Sequence, residues 1–276
     1  MKKLLALLLA ALLAISLIAC GKDDTNPDTN NGNEDEAAPE LIIDHETYDL
    51  TFDTTEDGTY EITGIIHDGV TPLNVVIPDT YDNRPIAGIA DEAFKACKNL
   101  ASVTIPTSIT YIGKAAFYDC DALTVVTVPG SVKEIRSLAF SECGALTTLI
   151  LQSGVETVGD FAFEGCTALI GITFSDTLTT IGAAAFRNCS ALTSVAIPNT
   201  VTSIGDMAFY DCGKLASVYA YGNPLAENLG RYLFTNCAAG MVLNTAPNTS
   251  FAAYAAEYGH VAAATDPADP ALSDWN

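Results

Sequence analysis

Apolar side chains recur along most of this chain at a fixed interval of 23 residues. Each interval contains a Phe, a Cys three residues later and a Leu three residues after that, as at Phe117, Cys120 and Leu123. The Phe positions of this series are Phe94, Phe117, Phe140, Phe163, Phe186 and Phe209. A further Phe-x-x-Cys pair, Phe234 and Cys237, follows after a step of 25 residues. A fixed period of this length predicts a solenoid in which each repeat forms one coil.

Within one coil, the order of polar and apolar positions predicts short elements. Ala116, Phe117 and Cys120 are spaced as one face of a single helical turn. Residues 126–128 alternate between apolar and polar and therefore predict a strand. Pro129 closes this strand, because a proline lacks the N–H group that an interior ladder position needs.

A second extended piece follows in each coil and is marked by apolar pairs such as Val132 and Ile135. Each coil therefore points about eight apolar side chains inward, which a single coil cannot bury. We expect neighbouring coils to stack, so that their strands form a long parallel sheet with right-handed connections.

The segments that flank the array predict a cap for each of its ends. Residues 48–52 and 60–65 are alternating runs joined through an Asp-Gly turn, and they predict a β-hairpin over the first coil. Residues 250–258 predict a short helix that ends at Gly259 and covers the last coil.

The repeat also resembles a known bacterial family. Its pattern, Ile-Gly-x-x-Ala-Phe-x-x-Cys-x-x-Leu-x-x-Val-x-Ile-Pro, is clearest in residues 112–135 and 181–204. It is similar to the BspA-like leucine-rich repeats of bacterial surface proteins, over roughly residues 75–240. The resemblance implies an α/β, β-rich leucine-rich-repeat solenoid and a role in adhesion, although a fold alone does not define a ligand. Arg136 and Ala90 replace the glycine of the pattern in two repeats, so we expect this position not to require a positive φ.

Residues 1–20 predict an export signal. Two lysines supply its positive end, and residues 4–18 form an apolar run that is too short for a comfortable membrane span. The run ends in Leu-Ile-Ala-Cys at residues 17–20, which resembles the lipobox at which bacterial lipoproteins are cleaved and acylated. This resemblance implies lipid attachment at Cys20 and anchoring through several acyl chains. The alternative is an ordinary signal peptide with an incidental cysteine.

The residues after Cys20 indicate where an anchored protein would lie. The Lys-Asp-Asp run at residues 22–24 is similar to the tag that sends lipoproteins of Bacteroides-type bacteria to the outer face of the outer membrane; a solvated charge run is the alternative. Residues 21–40 contain almost nothing apolar and predict a flexible tether. We therefore expect a protein that is lipid-anchored in the outer membrane and faces the cell exterior.

The chain divides into a lipoprotein signal peptide (1–20), a disordered acidic tether (21–40), an N-terminal hairpin cap (41–74), the repeat array (75–240), a C-terminal cap (241–262) and a flexible tail (263–276). The formal net charge of −22 is concentrated near the N-terminus. Residues 21–85 hold 17 acidic and 2 basic side chains, whereas residues 86–240 hold 13 and 8. Nucleic-acid binding needs a basic stripe, which this chain lacks.

Seven of the eight cysteines occupy one column of the array. Stacked coils bring their Cα atoms to about 4.8 Å, a separation that permits disulfides. An odd number cannot pair completely, however, and parallel Cβ directions make the geometry poor. We expect a ladder of reduced, buried thiols, with occasional disulfides as the alternative, and neither a metal nor another cofactor.

The sequence offers little for catalysis. His45, His67 and His260 lie outside the array, and the chain has no His-Glu-x-x-His, Gly-x-Ser-x-Gly or phosphate-loop motif. Paired carboxylates such as Asp119 and Asp121 lie on predicted surface turns, so a glycosidase is a poor interpretation. We expect no catalytic residue and no enzymatic activity.

The outward row of the predicted strands is the surface with a recognisable pattern. It consists of Thr104, Thr127, Ile150, Thr173, Ala196 and Tyr219. These side chains are mostly small and uncharged, and solenoids use such extended faces for binding; alternatively, Thr simply suits an exposed strand. We expect a monomer that binds a host or neighbouring-cell protein or a glycan and contacts the membrane only through its lipid anchor. The alternative is a structural spacer or envelope component without a specific ligand.

Overall fold

The computed structural model describes residues 18–20, 41–44, 48–67, 69–220, 222–224 and 226–264, with side chains from residue 48 to residue 263 within these ranges. The predicted tether and most of the signal peptide lie outside the described residues. The side chain of the predicted lipid-attachment residue Cys20, the charge run at residues 22–24 and the tail from residue 265 onward also lie outside them.

Most of the described chain consists of short strands separated by turns. In chain order, the strands β1 to β20 are Ile18–Cys20, Leu41–Asp44, Tyr48–Thr54, Tyr60–His67, Leu73–Val76, Thr80–Tyr81, Arg84–Ile89, Leu100–Thr104, Tyr111–Ile112, Val125–Val128, Glu134–Ile135, Thr148–Leu151, Thr157–Val158, Gly171–Thr173, Thr180–Ile181, Ser194–Ile197, Ser203–Ile204, Ser217–Ala220, Val242–Thr245 and Val261–Ala264. A 3-10 helix spans Ala226–Asn228, and the α-helix α1 spans Ser250–Tyr258.

The strands form two sheets that follow the axis of a β-solenoid. The first sheet has the order β17-β15-β13-β11-β9-β7-β4-β3-β2, with β1 attached to β4 and β6 to β7. From β4 to β17 its strands pair in parallel, and most coils contribute two residues, such as Tyr111–Ile112. The predicted 23-residue coil of a β-rich solenoid is confirmed.

The second sheet contains the longer strand of each coil. It consists of the groups β5-β8, β10-β12-β14 and β16-β18-β19-β20, which pair in parallel. The long sheet expected from the repeat is thus interrupted after β8 and after β14. At the second interruption, Phe174 occupies the inward position that Val128 and Leu151 hold in earlier coils. Its ring lies edge-on to Phe186 with centroids 5.6 Å apart, so a larger side chain stands where the ladder stops.

The Phe of successive coils stack into one column along the axis of the core. The seven rings of this column, which begins at Phe94 and ends at Phe234, are all buried. Neighbouring rings are nearly parallel, and their centroids lie from 4.8 Å to 5.7 Å apart, which is the range of favourable aromatic pairs. The 23-residue repeat of the sequence therefore places the Phe of each coil directly against the Phe of the next coil.

The segment expected to be a helical turn is a run of tight turns instead. Ala115 and Asp119, on either side of Phe117, have φ angles of 53° and 62°, in the left-handed region. With this backbone, alternate N–H groups point to the next coil, and the N–H of Phe117 donates to the carbonyl oxygen of Ala139 at 2.7 Å. The prediction is wrong because three apolar positions in five residues fit either conformation. The hydrogen bonds of these turns form a third ladder between coils, in addition to the ladders of the two sheets.

The glycine of the repeat reflects a close approach of two backbones. As expected, Gly113 and Gly182 do not have a positive φ. A Cβ atom on Gly113 would lie 2.5 Å from the carbonyl carbon of Ala90, and one on Gly182 would lie 2.5 Å from that of Gly159. The missing side chain thus lets successive coils stack closely at this corner.

The N-terminal end of the core is covered by two hairpins. β3 and β4 form the hairpin predicted from the sequence, and β6 and β7 form a second, smaller one. In the turn of the smaller hairpin, Asp82 and Asn83 have φ angles of 46° and 58°, a conformation that these residue types tolerate. Tyr81 stacks on Phe52 with ring centroids 5.2 Å apart, and the two hairpins thereby close the core together.

The helix α1 covers the other end of the core, as predicted. Phe251, Tyr254 and Ala255 are its buried residues. The hydroxyl of Tyr254 accepts a hydrogen bond from the N–H of Leu233 at 2.7 Å, which ties the helix to the last turn segment of the array. Gly259, with a φ of 75°, ends the helix.

The second sheet continues further than the sequence indicates. β19 pairs with β18 and β20 pairs with β19, so the sheet passes the expected end of the array at residue 240. Residues 263 and 264 belong to β20 and not to the predicted tail. The periodicity did not reveal these strands because α1 lies between them and replaces the regular turn segment.

Candidate functional site

The outward side chains of the second sheet form one continuous surface, which we call the sheet face. One row consists of Asn74, Ser102, Val125, Thr148, Gly171, Ser194, Ser217, Val242 and Val261, and the other of Val76, Thr104, Thr127, Ile150, Thr173, Ala196, Tyr219, Asn244 and Ala263. All six residues predicted for the binding face lie in the second row, and none of them is buried. Neither row contains a charged side chain.

The sheet face is long, because nine strands contribute to it. With about 4.8 Å between neighbouring strands, it extends for about 40 Å along the solenoid. The side chains are short, and within each of the three groups of strands the backbones already donate and accept in a ladder. A partner can therefore approach over the whole length without displacing large or charged groups.

The sequence identified the middle of the sheet face but not its ends. Asn74 and Val76 on β5 belong to it, as do the outward residues of β19 and β20. These strands lie outside the 23-residue period, and one of them is indicated only by residues 75–78, Val-Val-Ile-Pro, which align with the strand and proline of later repeats. Exposed aliphatic side chains, Val125 at 46% and Ile170 at 59%, lie in or beside the rows and make the face more apolar than its Ser and Thr suggest.

Charged side chains concentrate on the other surfaces of the coils. Beside the first sheet, Lys133 and Glu156 form an ion pair at 3.1 Å. On the turns, Lys98 pairs with both Asp119 and Asp121. The absence of charge from the sheet face thus distinguishes it from the remaining surface of the described coils.

Tyr219 is the aromatic residue of the sheet face. In register, it lies between the small Ala196 and Asn244, and it is half-buried. Asn244 is held by its own hydrogen bond from Nδ2 to the carbonyl oxygen of Val218 at 3.3 Å. A tyrosine with a small neighbour presents ring area that can pack on a sugar or an apolar side chain, and its hydroxyl can hydrogen-bond.

The titratable groups that could support catalysis have structural surroundings. His67 is buried and its Nδ1 accepts the N–H of Gly69 at 2.9 Å, whereas His45 lies outside the described residues. His260 stacks on the ring of Tyr254, and burial lowers the pKa of His260. Burial raises the pKa of Glu164, which lies on a turn and not in the sheet face. In the described residues, no group of three or more His, Cys, Asp or Glu is arranged to hold a metal ion.

The cysteine column is a hydrogen-bonded ladder of thiols. The Sγ of Cys120 donates to the carbonyl oxygen of Phe94 at 3.1 Å, and that of Cys166 donates to Phe140 at 3.3 Å. Burial raises the pKa of both thiols well above the usual value. The expectation of seven reduced thiols is wrong at Cys97, which is disulfide-bonded.

These thiols should differ sharply in their reactivity. In the native full-length protein, we expect iodoacetamide to leave Cys120, Cys143, Cys166, Cys189 and Cys212 unmodified, because they are buried. Cys237 is partly exposed and should react slowly, since burial raises its pKa to about 12. Denaturation without reductant should expose all six of these thiols to the reagent. Peptide mass spectrometry reports each site, and native labelling in the middle of the column would contradict the ladder.

No helix within the described part of the chain is both long and apolar enough to cross a bilayer.

Residues 87–216 match six copies of the BspA type leucine rich repeat region. The leucine rich repeat protein TpLRR of T. pallidum is 26% identical, with a TM-score of 0.61 over 68% of this chain and 86% of that chain. A leucine-rich repeat protein from Bacteroides ovatus is 26% identical, with a TM-score of 0.50 over 73% of this chain and 58% of that chain. A leucine rich cell surface protein from Faecalibacterium prausnitzii is 30% identical, with a TM-score of 0.46 over 67% of this chain and 55% of that chain. None of the curated proteins matches the chain.

The coil length, the parallel sheets and the Phe column define the class as a leucine-rich-repeat β-solenoid. Within that class, the array at residues 87–216 belongs to the BspA type of leucine-rich repeat. The chain spans a little over half the length of the Bacteroides ovatus and Faecalibacterium prausnitzii proteins.

Proposed function

We propose that the protein is a surface-anchored adhesion or binding protein that recognises an extended protein or glycan through the sheet face. The observation that carries this proposal is the uncharged sheet face of a chain whose net charge is −22. The class of fold supports it, because solenoids present extended surfaces for binding. The partner is a host or neighbouring-cell molecule, and the protein acts as a monomer.

The cost of desolvation explains why an uncharged face suits this role. A charged side chain must lose water when a partner covers it, and the loss is compensated only by a well-placed opposite charge. Ser, Thr and small aliphatic side chains lose little and still offer hydroxyl groups to a partner. A neutral, extended ligand therefore gains more on the sheet face than on the ion-paired turns around Lys98.

The membrane anchor belongs to the same proposal. Lipid attachment at Cys20 and the polar residues 21–40 would hold the solenoid away from the outer membrane, on the cell exterior. In this arrangement the sheet face can meet another cell or a matrix glycan. A structural spacer would need the anchor and the solenoid but not the sheet face, which separates the two functions experimentally.

Placing charge on the sheet face should weaken binding without unfolding the protein. For Thr127→Arg with Thr173→Arg, we expect at least a tenfold loss of adhesion and nearly unchanged Tm, because both side chains point outward. The matched control is Thr157→Arg with Ser203→Arg, two coils apart on the opposite sheet. Tyr219→Ala should also weaken adhesion. Full adhesion by the first variant and loss only by the control would contradict the proposal.

A further inference from the structure

Each coil has two backbone positions in the left-handed region, one on either side of its buried Phe. In five successive coils the second position is filled by Glu142, Gly165, Asn188, Asp211 and Asn236. Four of these are Gly, Asn or Asp, the residues that adopt this conformation at the least cost. The same coils fill the first position with Leu138, Phe161, Ala184, Met207 and Tyr232. Bulky side chains in this conformation are genuine outliers.

The five residues at the first position, from Leu138 to Tyr232, form a line along the turns, which we call the turn ridge. Phe161, Met207 and Tyr232 are exposed by 36%, 37% and 48%. Phe161 and Met207 are therefore unfavourable in two ways, because an apolar side chain is partly exposed to water and a bulky residue has a positive φ. The ring of Tyr232 meets that of Tyr258 in α1 edge-on, with centroids 6.2 Å apart. Asn would satisfy the backbone at Phe161 and Met207, so the backbone conformation does not explain these two residues. Strained positions of this kind are a reason to look for a binding role.

The surroundings of the turn ridge are acidic. Between residues 136 and 232, which include both arginines that flank the ridge, acidic side chains outnumber basic ones by eight to four. On the turns themselves the acidic residues are Glu142, Asp160, Glu164, Asp206 and Asp211. The basic Arg187 is already paired with Glu164 at 3.2 Å. A partner that covers the turn ridge is therefore favoured if it carries positive charge beside its apolar surface.

The shape of the turn ridge fits a helix. Ala184 lies between Phe161 and Met207 and is only 3% exposed, so the exposed part of the ridge here is formed by these two side chains, which stand two coils or about 10 Å apart. One turn of an α-helix rises about 5.4 Å, close to the spacing of about 4.8 Å between coils. Apolar residues on one face of a helix can therefore follow the ridge coil by coil.

We propose that the turn ridge is a second binding surface, separate from the sheet face, and that it binds cationic amphipathic helical peptides. The apolar face of the peptide packs on Phe161, Met207 and Tyr232. Its Lys or Arg side chains lie beside Asp160 and Asp206. On the cell exterior, such a surface would sequester cationic peptides before they reach the membrane.

Fluorescence anisotropy with a labelled 18-residue helix of Leu and Lys tests this proposal on the processed chain. We expect saturable binding that Phe161→Asn with Met207→Asn weakens at least tenfold. Because Asn tolerates a positive φ, this variant should keep or raise the Tm. The control, Ile170→Asn, removes a still more exposed apolar side chain from beside the sheet face and should change the Kd less than twofold.

The contribution of charge can be measured with a second variant. The Oδ1 atoms of Asp160 and Asp206 accept the N–H groups of Ala183 and Arg231, each at 2.7 Å. Asp160→Asn with Asp206→Asn keeps these acceptors and should weaken the peptide about fivefold. Equal binding of a Leu and Glu peptide, unchanged affinity in the Phe161 and Met207 variant, or a Tm lowered by several degrees in that variant would each overturn the proposal.

Discussion

Phe163→Ala is expected to lower the free energy of unfolding by about 3–5 kcal/mol, as other truncations of buried Phe do. Phe163 lies in a central coil, and its ring stacks on Phe140 and Phe186 with centroids 5.3 Å away on each side. The substitution removes apolar contact with both neighbours and leaves a cavity that rigid coils cannot close. Equilibrium unfolding in urea measures the loss.

The position of the Phe in the column should determine the size of this loss. Phe94→Ala should cost about 1 kcal/mol less than Phe163→Ala, because Phe94 stacks on one coil ring, Phe117, and an aromatic pair contributes about that much. Phe234→Ala should also cost less, by a smaller margin, since Tyr254 meets its ring edge-on at 6.0 Å. Equal losses at all three positions would argue against nearest-neighbour stacking.

Cys20→Ser is expected to abolish lipid attachment and to block processing of the precursor. If the lipobox is used, the thiol of Cys20 is the acylated group, so a serine leaves an unprocessed precursor. Metabolic labelling with palmitate should fall to background in this variant, whereas Cys237→Ser, which removes a thiol of the array, should label like the parent. Unchanged labelling of Cys20→Ser would show that the anchor is elsewhere or absent.

Transport to the outer face is a separate step of the same account. Replacing Lys22, Asp23 and Asp24 with Ala should keep palmitate labelling but protect the solenoid from protease added to intact cells. Continued cleavage on intact cells would show that these three residues are not the signal for exposure.

The repeat could be predicted from the sequence because one contact dictates it. Phe must meet Phe at every coil, so the 23-residue spacing of Phe117 and Phe140 reports the stack directly. The strands followed from alternation, and the outward direction of Thr127 and Thr173 followed from the strands. Each of these inferences depends on a local pattern that repeats many times.

The turns could not be predicted in the same way. The apolar spacing around Phe117 describes which side chains are buried but not the sign of φ at Ala115 and Asp119. That sign is set by the hydrogen bonds to the next coil, which are contacts between residues 22 apart, such as those of Phe117 and Ala139. The turn ridge depends on these φ angles and was therefore invisible in the sequence.

The ends of the sheet face were missed for a related reason. β5 precedes the regular repeats, and β20 follows α1, so neither has the spacing that identifies the other strands. They extend the sheet face because they pair in register with their neighbours, as Asn74 does with Ser102. Pairing of this kind, between segments outside the repeats, does not produce a regular spacing of residues in the sequence.

The most direct test of the central claim, that the sheet face binds a partner, is a screen of purified residues 41–276 on arrays of glycans and host proteins. The account predicts at least one saturable ligand whose binding is lost in Thr127→Arg with Thr173→Arg and kept in Thr157→Arg with Ser203→Arg. Ligands that bind both variants equally, or no saturable ligand at all, would contradict it and leave the protein a structural spacer.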